Sequence, residues 1–159
     1  APVIALRHRM LAFYRSWLSI KTLEVPTIAA INGSAVGAGF ALALACDLRF
    51  AAAEAKLAVP FATLGLHPGM ATTWSLPNVA GFAVARDLLL TGPAATAIAQ
   101  AAPIAMTLTV AALRDGGHQS FQDAIEWEAL AQSVTLATED LHEGIEAAAT
   151  RRRPQFRGR

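Results

Sequence analysis

The stretch Thr27–Asp47, TIAAINGSAVGAGFALALACD, decides the fold. Thr27–Ile31 is a short apolar run with β-branched residues at both ends, and it stops at Asn32 and Gly33, so it reads as a buried strand ending in a turn. Phe40–Cys46 contains no helix breaker and is built of good helix formers. Between them, Gly37, Ala38 and Gly39 offer no side chain larger than a methyl group. Small residues let a ligand carbonyl approach the backbone, and the first turn of a helix has free N–H groups and a dipole that favours negative charge. The same glycines would also permit close packing of helix on strand.

Outward from this stretch the pattern alternates. Upstream, Leu6, Met10, Phe13 or Tyr14, Trp17 and Leu18 recur every three to four positions among Arg7, Arg9, Arg15 and Ser16, which predicts an amphipathic helix before Pro26. Downstream, Leu48–Ala51 and Lys56–Val59 read as short strands, giving an α/β alternation. Asn78–Leu90 reads as a helix closed by Gly92. Pro103–Leu113 starts a further helix at a proline, and Ser120 with Asp123 and Asp140 with Glu143 each have capping-box spacing. The chain thus divides into a core over residues 1–92 and a helical module over 93–159. No internal repeat or low-complexity linker interrupts it.

Composition narrows the function classes. Apolar residues make up 54% of the 159 and charged residues 16%, which supports a packed core and not disorder. The most hydrophobic stretch, Ile28–Ala45, is interrupted by Asn32, Gly33, Ser34, Gly37 and Gly39, so no membrane span is expected. Residues 1–9 lack the layout of a secretory signal, and a cytoplasmic location is the expectation. Cys46 is the single cysteine, which rules out an intrachain disulfide and a thiolate metal cluster. His8, His118 and His142 lack metal-ligand spacing, so no metal site is expected. A net charge of +1 gives no case for nucleic acid, although five of thirteen basic residues lie in the last nine positions.

The whole Thr27–Asp47 string resembles the crotonase superfamily, the enoyl-CoA hydratase/isomerase fold. Three further segments resemble it in the same order: Leu64–Gly69 (LGLHPG), Leu88–Gly92 (LLLTG) and Ala137–Phe156 (ATEDLHEGIEAAATRRRPQF). The resemblance implies an α/β, ClpP/crotonase-like ββα spiral core with a C-terminal helical trimerisation module. It implies an acyl-CoA substrate, with coenzyme A as part of that substrate and no separate cofactor, and a homotrimer or homohexamer with apolar helix faces around Ile125, Trp127, Leu130 and Val134. The oxyanion-binding amide of the family falls on Ala38, flanked by Gly37 and Gly39. Pro60, Phe61 and Gly69 fall beside the substrate, Met70 and Trp74 are candidates to line an acyl pocket, and Arg151 and Arg153 are candidates for the CoA phosphates, since arginine forks match phosphate geometry.

The sequence also departs from that pattern. The two acid/base glutamates of a hydratase fall on Ala41 and Phe61, and neither carries a proton to transfer. General acid/base groups contribute about 100-fold to 10,000-fold each, so ordinary hydratase activity is expected to be very weak. His67 is the candidate replacement base, with a loop histidine bonded to the backbone beside Pro68 as the alternative. Asp47 belongs to the family pattern as a structural residue. Against that pattern the N-terminal strands carrying the first oxyanion amide are not visible, and the segment after Gly92 reads as shortened. A catalytically silent CoA-thioester binder or assembly subunit is the second function class.

Overall fold

In the computed structural model, residues 2–92, 101–115 and 120–159 are described. The readings of residues 93–100 and of His118 lie outside them. Helix α1 (Val3–Trp17) runs into a 3₁₀ turn at Leu18–Thr22, and then come β1 (Ile28–Ile31), β2 (Ala35–Val36), α2 (Ala38–Ala45), β3 (Leu48–Ala51) and β4 (Leu57–Ala58). A 3₁₀ turn at Ala62–Leu64 precedes α3 (Thr72–Thr91), α4 (Pro103–Asp115), α5 (Phe121–Leu136) and α6 (Glu139–Ala149). The strands form two parallel pairs, β1 with β3 and β2 with β4, with Ile28 opposite Leu48 and Ala35 opposite Leu57.

The buried stripe of α1 is Leu11 and Tyr14, continued by Leu18 in the 3₁₀ turn, while Phe13 and Trp17 stay exposed. Tyr14 wins the inward position because its hydroxyl has a buried partner, donating to Gln132 Oε1 at 2.6 Å. β1 departs from the buried strand expected of it. Ala29 and Ile31 pack on the cluster around α2, but Ile28 is 59% exposed and its neighbours on that face, Leu48 and Phe50, are exposed too. One face of this two-stranded pair is covered and the period of two puts the alternate residues on the other. The second predicted strand shrinks to Leu57–Ala58, with Val59 buried just beyond it.

Helix α3 begins six residues before the predicted Asn78. Pro77 lies inside it and Gly81 (φ 80°, ψ 157°) breaks its regularity, so its first half is hidden from a periodicity reading. Gly92 closes it with its N–H on Leu88 O at 3.1 Å. The Ser120–Asp123 capping box is present. The second box is not: Thr138 caps α6, its hydroxyl accepting from Leu141 N–H. Asp140 instead accepts from the backbone N–H groups of Arg157 (2.7 Å) and Gly158 (2.8 Å), and Glu143 accepts from Arg152 Nη2 (2.8 Å) and Gln155 N–H (2.6 Å). Those carboxylates fold the C-terminal strand of chain back along α6.

Two apolar clusters hold the structure. One joins Leu11 and Tyr14 of α1 and Leu18 of the following 3₁₀ turn to Ala41 and Ala45 of α2, to Met70 and Ala71, and to Ala124, Ile125 and Ala129 of α5. The other joins Phe40, Ala43 and Leu44 of α2 to Val59, to Leu76, Ala85 and Leu89 of α3, and to Leu113 of α4. Helix α2 has one side in each, and the first cluster draws α5 into the core shared with residues before 92. Ile125 is therefore buried inside the chain's own core, 3% exposed, whereas Leu130 on the same helix remains 41% exposed.

Candidate functional site

The β2–β4 pair sets the loop that enters α2. Ala35 N–H donates to Lys56 O and Gly37 N–H to Ala58 O, both at 2.9 Å. The chain then turns at Gly37 with φ 54° and ψ −116°, a combination open to glycine and costly for other residues. Gly37 O accepts the first helical bond of α2, from Ala41 N–H at 2.9 Å. Because a trans peptide is planar, its C=O and N–H point in opposite directions. With Gly37 O aimed along the helix, the N–H of Ala38 in the same peptide is aimed out of the helix N-terminus. Among the described residues no backbone hydrogen bond is donated by Ala38. A groove of about 390 Å³ lies beside the loop, lined among others by Asn32, Gly33, Ser34, Gly39 and Leu42.

The other predicted residues fall into three groups. Around the loop, Phe61 presents its ring edge 3.8 Å from where a Gly37 Cβ would be, and Pro60 O accepts from Thr63 Oγ1 (2.7 Å) to start the 3₁₀ turn. Ala38 and Trp74 pack on the rim of the cluster that buries Met70 and Ala41. Trp74 meets Phe121 edge to face, ring centres 5.4 Å apart. Ala41 is 1% exposed, so the position is closed by Leu11, Tyr14, Leu18 and Met70 as well as lacking a proton.

The second group is internal. Gly69 lies under Tyr14 and Gln132: a Cβ there would sit 2.3 Å from Tyr14 Oη and 2.8 Å from Gln132 Nε2. His67 is fully buried; its N–H donates to Thr135 Oγ1 at 3.2 Å, its carbonyl accepts from Gln132 Nε2 at 3.1 Å, and its Nδ1 faces Pro68 O. Burial pushes its imidazole down to about 4, against the Pro68 and Leu108 backbone, so it is neutral at ordinary pH. The arrangement is that of the backbone-bonded loop histidine. Asp47 accepts from Thr27 N–H (2.8 Å) and Oγ1 (2.7 Å), tying the end of α2 to the start of β1, and those bonds hold its carboxyl below the usual range.

The third group stands apart. Arg151 and Arg153 are exposed on the returning tail, while Arg152 between them is held by Glu143 and Glu146. His8 and His142 are exposed, the latter with Nδ1 3.3 Å from Thr138 O. Among the described residues, no group of three or more His, Cys, Asp or Glu is placed to hold a metal ion, and no helix is long and apolar enough to cross a membrane.

Sequence reasoning missed a buried polar network behind the loop. Glu128 of α5 is fully buried and accepts from Thr72 N–H (3.2 Å), Thr73 N–H (2.8 Å) and the Thr73 hydroxyl, capping α3 from another helix. Burial pushes its carboxyl up to about 8 while the threonine bonds pull it back. Burial and the nearby Glu128 charge likewise push the Tyr14 hydroxyl far above the usual phenol range. The available signal was position: Glu128 and Gln132 fall on the helical stripe begun by Ile125.

Comparison with known proteins places this geometry in a family. A profile of the family described as enoyl-CoA hydratase/isomerase matches residues 7–98. The 2,3-dehydroadipyl-CoA hydratase of Escherichia coli (strain K12) is 32% identical over 171 residues, covering 90% of this chain and 67% of that protein. The probable enoyl-CoA hydratase EchA14 of Mycobacterium tuberculosis is 48% identical over 84 residues, covering 53% of this chain and 33% of that one. The crystal structure of an enoyl-CoA hydratase/isomerase from Pseudoalteromonas atlantica T6c superposes with a TM-score of 0.69 at 26% identity, over 90% of this chain and 69% of that one. The matched regions thus cover from about a third to about two thirds of these proteins. The shared fold is the crotonase-like one expected from Thr27–Asp47, and the chain belongs to the enoyl-CoA hydratase/isomerase family.

Proposed function

We propose that this protein binds acyl-CoA thioesters as an enzyme of the enoyl-CoA hydratase/isomerase type, using the Ala38 N–H as an oxyanion donor, with ordinary hydratase chemistry very weak. The observation that carries this reading is the Gly37–Ala38 peptide, whose carbonyl is committed to Ala41 N–H and whose N–H is aimed out of α2. A donor fixed in this way stabilises an enolate-like thioester oxygen without reorganising, and such a donor is worth about 3 kcal/mol of barrier. Phe61 and Trp74, beside the loop, are the side chains this reading gives to the acyl group, with Pro60 holding the turn at Phe61, while Gly69 and Met70 are buried in the core behind them. Arg151 and Arg153, free of the Glu143 pair that holds Arg152, are available to CoA phosphates.

Acid/base work is the weak link. Ala41 and Phe61 cannot transfer protons, and His67 is buried and neutral, so this reading assigns it a structural and not a basic role. The sealed Ala41 position favours the second reading, a silent CoA-thioester binder or assembly subunit, for every reaction that needs a carboxylate there. A homotrimer or homohexamer in a cytoplasmic setting completes the proposal, with Leu130 and Ile145 exposed on α5 and α6 as contact residues. Calorimetry with a saturated, non-reactive acyl-CoA tests it. Binding tighter than that of free CoA supports a thioester site at Ala38, and equal affinity removes it.

A further inference from the structure

Helix α2 has eight residues, and the residue at its N-cap position, Gly37, has no side chain to cap it. A helix this short is marginal by itself, and its first turn depends on outside contacts. One such contact comes from the last residue of α1. Trp17 Nε1 donates to Ala38 O at 3.2 Å. Trp17 is 40% exposed, so it lies at the surface beside the loop, and Phe13 packs against it at a tilt of 32° with ring centres 5.7 Å apart. The next peptide plane, Ala38–Gly39, opens the helical ladder of α2, and the indole N–H adds to its carbonyl a second donor from outside the helix. The Ala38 residue is pinned on both sides.

We propose that Trp17 is a positioning residue, which sets the direction of the Ala38 N–H by anchoring the Ala38 carbonyl through its indole N–H. The inference rests on the oxyanion reading of Ala38. It assigns to α1, outside the glycine loop, a share in polarising the bound thioester. Phe13 contributes by fixing the indole plane, and Ala38 carries the contact to substrate.

The test uses the full chain and an acyl-CoA with a carbon-13-labelled thioester carbonyl, read by isotope-edited infrared difference spectroscopy. Trp17→Phe keeps an aromatic ring against Phe13 and deletes the N–H. The same N–H is deleted with shape retained by placing benzothienylalanine at position 17, which covers the case in which Trp17→Phe does not fold. The wild-type protein is expected to lower the carbonyl frequency, and both variants to lose most of that lowering. Their affinity for acyl-CoA should fall about threefold to tenfold, the worth of one hydrogen bond, with affinity for free CoA unchanged. An unchanged carbonyl frequency in the folded variants overturns the role of Trp17 while leaving the Ala38 reading in place. No lowering in the wild type overturns the Ala38 reading and the Trp17 role with it.

Discussion

Glu128 of α5 accepts the backbone N–H of Thr73 at 2.8 Å, so a fully buried carboxyl from one helix caps the first turn of another. Its folded value is raised from 4.5 to about 8, and a raised carboxyl contributes stability that is present at acid pH and lost as pH rises through the folded value. His67 acts with the opposite sign: lowered from 6.5 to about 4, it contributes stability that is present above 6.5 and lost as pH falls. The two slopes cancel between about 4.5 and 6.5 and leave Glu128 alone between 6.5 and 8. Unfolding free energy is expected to fall there by about 1.4 kcal/mol per pH unit. Urea titrations across this window check it: Glu128→Gln should flatten the slope, and an unchanged slope would remove Glu128 from the account.

Gly69 should resist any side chain. A Cβ at this position would sit 2.3 Å from Tyr14 Oη, so Gly69→Ala is expected to cost about 1–3 kcal/mol by overpacking. The closest clash is with this hydroxyl, ahead of Gln132 Nε2 at 2.8 Å and Tyr14 Cζ at 3.0 Å, so a double-mutant cycle can separate its share. In a Tyr14→Phe background the same substitution should cost less. Equal costs in both backgrounds would place the strain elsewhere.

Restoring a carboxyl at the first acid/base position should not restore catalysis. Ala41 is packed among Leu11, Tyr14, Leu18 and Met70, and an unpaired polar group introduced there costs about 2 kcal/mol or more. Ala41→Glu is expected to lower the unfolding midpoint with no gain in enoyl-CoA hydration. A stable, faster variant would show that the position opens to substrate.

Gly37→Ala tests the loop itself. The space is adequate, since the nearest atom to an added Cβ is Phe61 Cζ at 3.8 Å, so the cost is conformational. The φ of 54° with ψ −116° should penalise alanine by about 1–3 kcal/mol. Acyl-CoA binding should weaken more than stability accounts for, as the peptide carrying the Ala38 N–H turns.

The legibility of these features followed their range along the chain. The strand, glycine loop and α2 were readable because turn chemistry and helix propensity act over a few residues, and the Ser120–Asp123 box for the same reason. The start of α3 was not, because Pro77 masks it and its cap comes from Glu128, fifty-six residues away. Asp140 and Glu143 had capping spacing but serve the returning tail, a contact that no local pattern announces. The oxyanion role proposed for Ala38 comes from the resemblance, whereas the glycine turn at Gly37 was readable from the residues themselves. The contact between Trp17 and Ala38 required the fold.

Thioester binding is proposed to survive without hydration in this protein, because Ala38 is retained while Ala41 and Phe61 carry no protons. The measurement is the decay of the conjugated absorbance of a short enoyl-CoA, at concentrations that calorimetry shows to be saturating. The expected result is a saturated protein with turnover at or near the uncatalysed rate. Rapid hydration at saturation would contradict it, and would require an acid/base group other than those at positions 41, 61 and 67.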